Sequence, residues 1–326
     1  MKTELKTSLS RNKTLLLISL LSLLFGALSC VFGEIMLPLL VGALAALYLF
    51  DSKSPRTFSI TVSVIILALN LAGVILGITS SLFGPCAIIL AFIASYSFVR
   101  GQSKADSAYV MTIISAVFTV IGCIILAMME QGEYTLEAVG VFYGEILDSL
   151  RAIFISSMSE LYTASGFEIS QEIIAAAFDM QVRLIVAYLL IGGFLLVGLS
   201  MKVFSLAVAL LAEEKKHIAE WRFATTNIFA YFYLILTLAS MFVMSADSLF
   251  AVSVLNLYNI FLVIFAYVGF NFAIAILSFK LKRGMAFFIL LILIGVFASF
   301  AMQILAVLGV LFTLRNNRKE NTAVDQ

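Results

Sequence analysis

Apolar residues run through this chain in long blocks separated by short polar segments. A helix needs about 20 mostly apolar residues to cross ~30 Å of hydrocarbon. On that measure residues 14–32, 35–50, 57–77, 82–99 and 108–129 form five membrane spans, and 181–212, 226–245, 249–279 and 285–314 form four more. The block at 35–50 is short, and Pro38 near its start predicts a tight hairpin with the first span around Gly33 and Glu34. Blocks of about thirty residues exceed one crossing, so they are expected to tilt, to extend into water, or to break. The expected fold is all-α: a polytopic transmembrane helical bundle of about nine spans (eight to ten) in a single integral membrane domain, 1–326.

One stretch departs from this pattern. Between the fifth and sixth spans, 130–180 alternates apolar and polar positions at helical spacing. Phe142, Ile146, Leu150, Phe154 and Met158 recur every four residues, with Leu161 three further on, the apolar stripe of an amphipathic helix. Gly166 marks a break, and Ser170 is placed to cap a second helix running into the sixth span. This stretch holds nine of the nineteen acidic residues and a single basic one, Arg151.

The connecting segments orient the bundle through their lysines and arginines, which collect on the cytoplasmic side of bacterial membrane proteins. Lys2, Lys6, Arg11 and Lys13 precede the first span, and Lys53, Arg56, Arg100 and Lys104 lie in later turns. Lys215, Lys216, Arg222, Lys280, Lys282 and Arg283 follow. Alternating spans put all of these on one side, while 78–81 and 246–248 on the other side carry none. The N-terminus is therefore expected in the cytoplasm, and the acidic 130–180 segment outside. The first apolar block also has the look of a signal peptide, but another span follows at once, so a retained first span is expected. Arg315, Arg318 and Lys319 break the alternation if 285–314 crosses once. A hairpin near Ser299–Gln303 would restore it, which leaves the side of the C-terminus open.

Composition sharpens the class. Of 326 residues, 63% are apolar and 12% charged, against roughly a quarter charged in soluble domains. A net charge of +1 offers no field for nucleic acid. Cys30, Cys86 and Cys123 lie in apolar stretches without CxxC or Cys/His spacing, and His217 is the single histidine. No cofactor, zinc site or disulfide framework is implied. No HExxH, GxSxG, Walker A or dinucleotide GxGxxG pattern occurs, and no base sits beside a nucleophile, so an enzyme is not expected.

Polar side chains inside spans are costly in lipid and mark candidate sites. The eighth span is richest. With Asn256 at zero and 100° per residue, Ser253 lies at about +60°, Asn259 at −60°, Tyr267 at +20°, Asn271 at +60° and Ser278 at +40°, a polar face about 120° wide. Asn256, Asn259, Tyr267 and Asn271 are the candidate ligand-binding residues for a small polar solute. Bonds between helices are the plainer use of the same groups. Asn70, Glu34 and Gln303 are secondary candidates, more ordinarily packing or capping groups. Glu145 and Asp148, three residues apart, are a weak pairing for a divalent cation, better read as solvated carboxylates. The small-residue ridges Gly73/Gly77, Ser22/Gly26/Cys30, Gly269/Ala273 and Gly295/Ser299 suit close helix contact.

The C-terminal third resembles the YybS-like family of bacterial multi-pass membrane proteins, a family defined by a domain of unknown function. Glu220-Trp221-Arg222-Phe223 before the seventh span, 266–282 (AYVGFNFAIAILSFKLK) and 304–319 (ILAVLGVLFTLRNNRK) carry the resemblance. Members tend to end in Leu-Gly, a nearby aspartate and an Arg-containing tail. Leu308-Gly309 and Arg315/Arg318 match, while Val310, Leu311 and Phe312 stand where the aspartate is expected. The resemblance implies a bacterial plasma-membrane protein. Two functions are expected from all this. The first is a transporter-like protein binding or moving a small polar solute. The second is a scaffold docking a protein partner through 130–180 or through the 213–225 loop.

Overall fold

The computed structural model describes residues 2–51, 57–78, 83–211, 223–243 and 248–324. Among them there is no β-strand, and the α-helices are α1 (Lys2–Phe32), α2 (Leu37–Phe50), α3 (Thr57–Ile75), α4 (Phe83–Val99), α5 (Lys104–Gln131), α6 (Leu136–Ala164), α7 (Gln171–Arg183), α8 (Ile185–Leu211), α9 (Asn227–Val243), α10 (Leu249–Leu277) and α11 (Arg283–Val324). Five stretches are long and apolar enough to cross a membrane: Asn12–Phe32, Thr57–Ile75, Lys104–Gln131, Ile185–Leu210 and Leu249–Leu277. Helices α2, α4 and α9 are equally apolar but have 14, 17 and 17 residues, about 21–26 Å at 1.5 Å per residue. Among the described residues the protein is thus all-helical with five membrane-length helices, which does not confirm the count of about nine.

The chain divides into two compact units, Met1–Met180 with Gly192–Arg222, and Gln181–Ile191 with Phe223–Gln326. In the first, the 14-residue α2 is the core. Ten of the 14 residues of α2 are buried, because its sequence is apolar all round and a helix of that kind belongs inside. A single 3-10 turn, Gly33–Ile35, connects it to α1, with Gly33 at φ +55°, a left-handed conformation that glycine adopts without a Cβ penalty. Gly26 of α1 admits Ile66 of α3, and Gly42 of α2 admits Val203 of α8. The outer faces are apolar as well: Leu16, Leu20 and Leu24 on α1 and Ile60, Val64 and Leu71 on α3 are exposed. Faces like these suit hydrocarbon rather than water.

Helices α6 and α7 follow the amphipathic stretch. Thr135 caps α6 by accepting from the Ala138 N–H at 3.1 Å, and Gly166, at φ +76°, lies just past its end. Ser170 accepts from Ile173 N–H at 3.4 Å at the start of α7. The Tyr143 hydroxyl donates to the Cys123 carbonyl at 2.9 Å, tying α6 to α5. Arg151 pairs with Asp179 at 2.9 Å, and the rings of Phe154 and Phe178 lie 5.6 Å apart, tying α6 to α7. The chain does not run straight from α7 into the span, because the helix breaks at Leu184.

In the second unit α9 and α10 pack through aromatic rings, Tyr233 with Tyr258 and Phe265, and Phe229 with Phe261. Helix α11 meets α10 at two glycines. A Cβ on Gly269 would sit 1.8 Å from the Leu305 carbonyl oxygen, and one on Gly309 would sit 2.0 Å from that of Phe265. The backbones therefore touch, as small-residue membrane contacts allow. Phe287 and Leu305 are both on α11 and meet the adjacent α10 residues Phe270 and Gly269. Eighteen residues would separate them by about 27 Å in a straight helix. Helix α11 is therefore bent between them, and Gly295 lies in that stretch, where a missing side chain eases bending.

Candidate functional site

The polar face sits on α10, which Ser248 starts by accepting from the Ala251 N–H at 3.1 Å. Its residues do not act alike. Asn256 is buried, and its side chain reaches another part of the chain. The Oδ1 atom accepts from the Ala187 N–H at 2.8 Å, and Nδ2 donates to the Arg183 carbonyl at 3.0 Å and to the Val252 carbonyl at 2.9 Å. Arg183 ends α7 and Ala187 lies in the first turn of α8, so the amide bridges the break at Leu184. At the break Asn256 thus bonds a carbonyl on one side and an N–H on the other. Beside it the Tyr188 hydroxyl donates to Gln181 Oε1 across the same break.

The other candidates bond their own helix. Asn259 Nδ2 donates to the Leu255 carbonyl and Asn271 Nδ2 to the Tyr267 carbonyl, each at 2.8 Å. Ser253 does the same to Leu249 at 2.8 Å. Such bonds to the carbonyl four residues back are the usual way a helix in lipid satisfies a small polar side chain. An amide has two N–H donors and a carbonyl acceptor, so Asn259 keeps a donor and an acceptor beyond this bond, and Asn271, whose amide also bonds the Tyr267 hydroxyl, keeps its acceptor. Asn259 is half-buried and Asn271 exposed. The half-buried Tyr267 ring packs edge-on against Phe223 at 5.3 Å. Asn256 and Asn271 are fifteen residues apart, about 22 Å along the helix. One small solute cannot touch all four residues; the face is a row of stations.

The secondary candidates scatter. Asn70 on α3 is buried, donates to the Ile66 carbonyl at 2.8 Å, and has an Oδ1 without a hydrogen-bond partner among the described residues. Its amide lies against Gly84 of α4, where a Cβ would come within 2.2 Å of Asn70 Cγ. A Cβ there would force the Asn70 amide to shift. Gln303 is exposed on α11. The Glu34 side chain and residues 212–222 of the proposed docking loop, Trp221 and His217 included, lie outside the described residues. Glu145 and Asp148 are exposed on α6. No group of three or more His, Cys, Asp or Glu suited to a metal ion occurs among the described residues.

Sequence reasoning passed over Asp51. It lies just past α2 and is buried at 4% exposure, where Oδ2 accepts from the Ser59 N–H and from the Ser59 hydroxyl, both at 2.8 Å. The carboxylate thereby caps α3, whose N-terminal dipole favours an anion. One turn on, Tyr48 and Ser63 share a hydrogen bond of 2.7 Å. The available signal was an acid eight residues before a helix-start serine, which is ordinary for a loop.

Comparisons with family models, with curated proteins and with solved structures return no match for this chain.

Proposed function

We propose that the protein is a non-enzymatic, transporter-like multi-pass protein of the bacterial plasma membrane, of the YybS-like kind. In this reading its N-terminus is cytoplasmic, the chain crosses about nine times, and a small polar solute is handled along the α10 face. The observation that carries the reading is the pair Asn259 and Asn271. Both amides sit on an apolar helix of membrane length and hold one N–H on their own backbone, leaving further hydrogen-bonding capacity to offer. Tyr267 lies between them as a flat, half-buried wall. Asn256 is not a solute ligand in this reading, since the break between α7 and α8 occupies its amide.

The test follows from that division. Purified protein is melted in detergent with a panel of neutral amino acids, sugars and nucleosides. At least one compound is expected to raise the melting temperature of the parent and to lose its effect on Asn259→Leu/Asn271→Leu. A double variant that responds as the parent does removes the site.

One observation favours a second reading, the scaffold. Leu136, Ile146, Leu150, Ile153 and Leu161 on α6 are exposed and fall within about 100° of one another at 100° per residue. A partner helix could lie along that strip. Deleting 135–165 would abolish partner co-purification and spare solute stabilisation.

A further inference from the structure

Beside the glycine contact, the bent α11 and α10 frame an open-sided cavity of about 320 Å³. Ala273 lines it from α10, and Leu290, Ile294, Phe297, Ala301 and Leu305 are among its walls from α11; every lining residue is apolar. A polar solute gains nothing there, because a buried polar group without a partner is penalised. The occupant must present hydrocarbon. Lys280, seven residues past Ala273, and Lys282, eight before Leu290, occupy the turn between the two helices, and both are exposed. That turn is about 10 Å along the chain axis from the cavity walls. An acyl chain in the cavity and a phosphate within reach of the lysine side chains, about 10 Å along the chain, are the two parts of an anionic phospholipid.

We propose that this cavity and this turn form a binding site for one anionic phospholipid, with an acyl chain between α10 and α11 and the phosphate at Lys280 and Lys282. Basic clusters beside membrane helices attract anionic headgroups in this way. The site is separate from the solute face: Ala273 is two residues from Asn271, about 160° round the helix. The two proposals therefore fail independently.

The experiment uses the purified full-length protein in detergent and three additions: phosphatidylglycerol, phosphatidylcholine with the same acyl chains, and inorganic phosphate. Phosphatidylglycerol raises the melting temperature more than phosphatidylcholine does, and phosphate has no effect. In Lys280→Gln/Lys282→Gln the apparent affinity for phosphatidylglycerol falls about 30-fold, to the level of phosphatidylcholine. Filling the cavity with Ala301→Trp removes the response to both lipids. Native mass spectrometry of the parent and the lysine variant, counting retained phosphatidylglycerol, decides the question even where the tryptophan variant does not fold. Equal shifts with the two lipids, a phosphate effect matching the lipid's, or an unchanged lysine variant would overturn the proposal.

Discussion

Asn256 and Asn259 are the same residue type one turn apart on α10, and the structure gives them different work. Removing the Asn256 amide takes a bond from the Arg183 carbonyl and another from the Ala187 N–H, while removing the Asn259 amide releases one carbonyl that its own helix already bonds. Asn256→Leu is therefore expected to cost about 1–3 kcal/mol and to lower the melting temperature without any ligand. Asn259→Leu should stay within about 0.5 kcal/mol, the range of substitutions away from buried networks. Thermal unfolding of both variants in one detergent checks the contrast. Asp51 carries the same logic at the start of α3: with both Ser59 donors left in place, Asp51→Ala should cost about 1–2 kcal/mol, against a smaller loss for Asp51→Asn, which keeps an acceptor. These distinctions were not legible in the sequence, where each polar residue in an apolar helix looks alike. They depend on which distant backbone groups lie within about 3 Å.

At the scale of elements, the ridges read from the sequence divide by what lies against them. Gly269 and Gly309 face each other's helix backbones, which cannot swing aside as a side chain can. Gly269→Ala and Gly309→Ala should each destabilise on the order of 3 kcal/mol and loosen α11 from α10, read as faster hydrogen exchange in α11. Gly295, by contrast, has open space around its Cβ position, and Gly295→Ala should leave packing intact. The helix break at Leu184 belongs to this scale too. The sequence shows an amphipathic helix running toward an apolar span without glycine or proline between them, so nothing local announces a break. The amide of Asn256, more than seventy residues later in the chain, stabilises it.

At the scale of the whole chain, the open question in the sequence was the C-terminal side. Thr225 and Thr313 share a hydrogen bond of 2.9 Å, which sets the end of the apolar part of α11 beside the segment leading into α9. In the proposed orientation that segment is cytoplasmic, and the bend in α11 would let 285–314 return to the same side. With Cys30, Cys86 and Cys123 replaced by alanine, a membrane-impermeant thiol reagent should label Glu145→Cys in intact cells. It should label Lys280→Cys and Arg315→Cys only after the membrane is opened. Labelling of Arg315→Cys in intact cells would restore a single crossing for 285–314.

Apolar content and its spacing by themselves determined that the chain is helical, where most helices lie, and that long apolar helices suit a bilayer, because hydrocarbon demands backbone bonds closed within each segment. The stripe on α6, the capping residue Ser170 and the hairpin at Gly33 follow from spacing of the same local kind. Only the tertiary structure decided that the short α2 is the core, that α11 bends, and that Asn256 holds a helix break while Asn259 and Asn271 remain on offer. Those outcomes turn on contacts between residues far apart in the chain, and the energy of such a contact is set by the partner as much as by the residue.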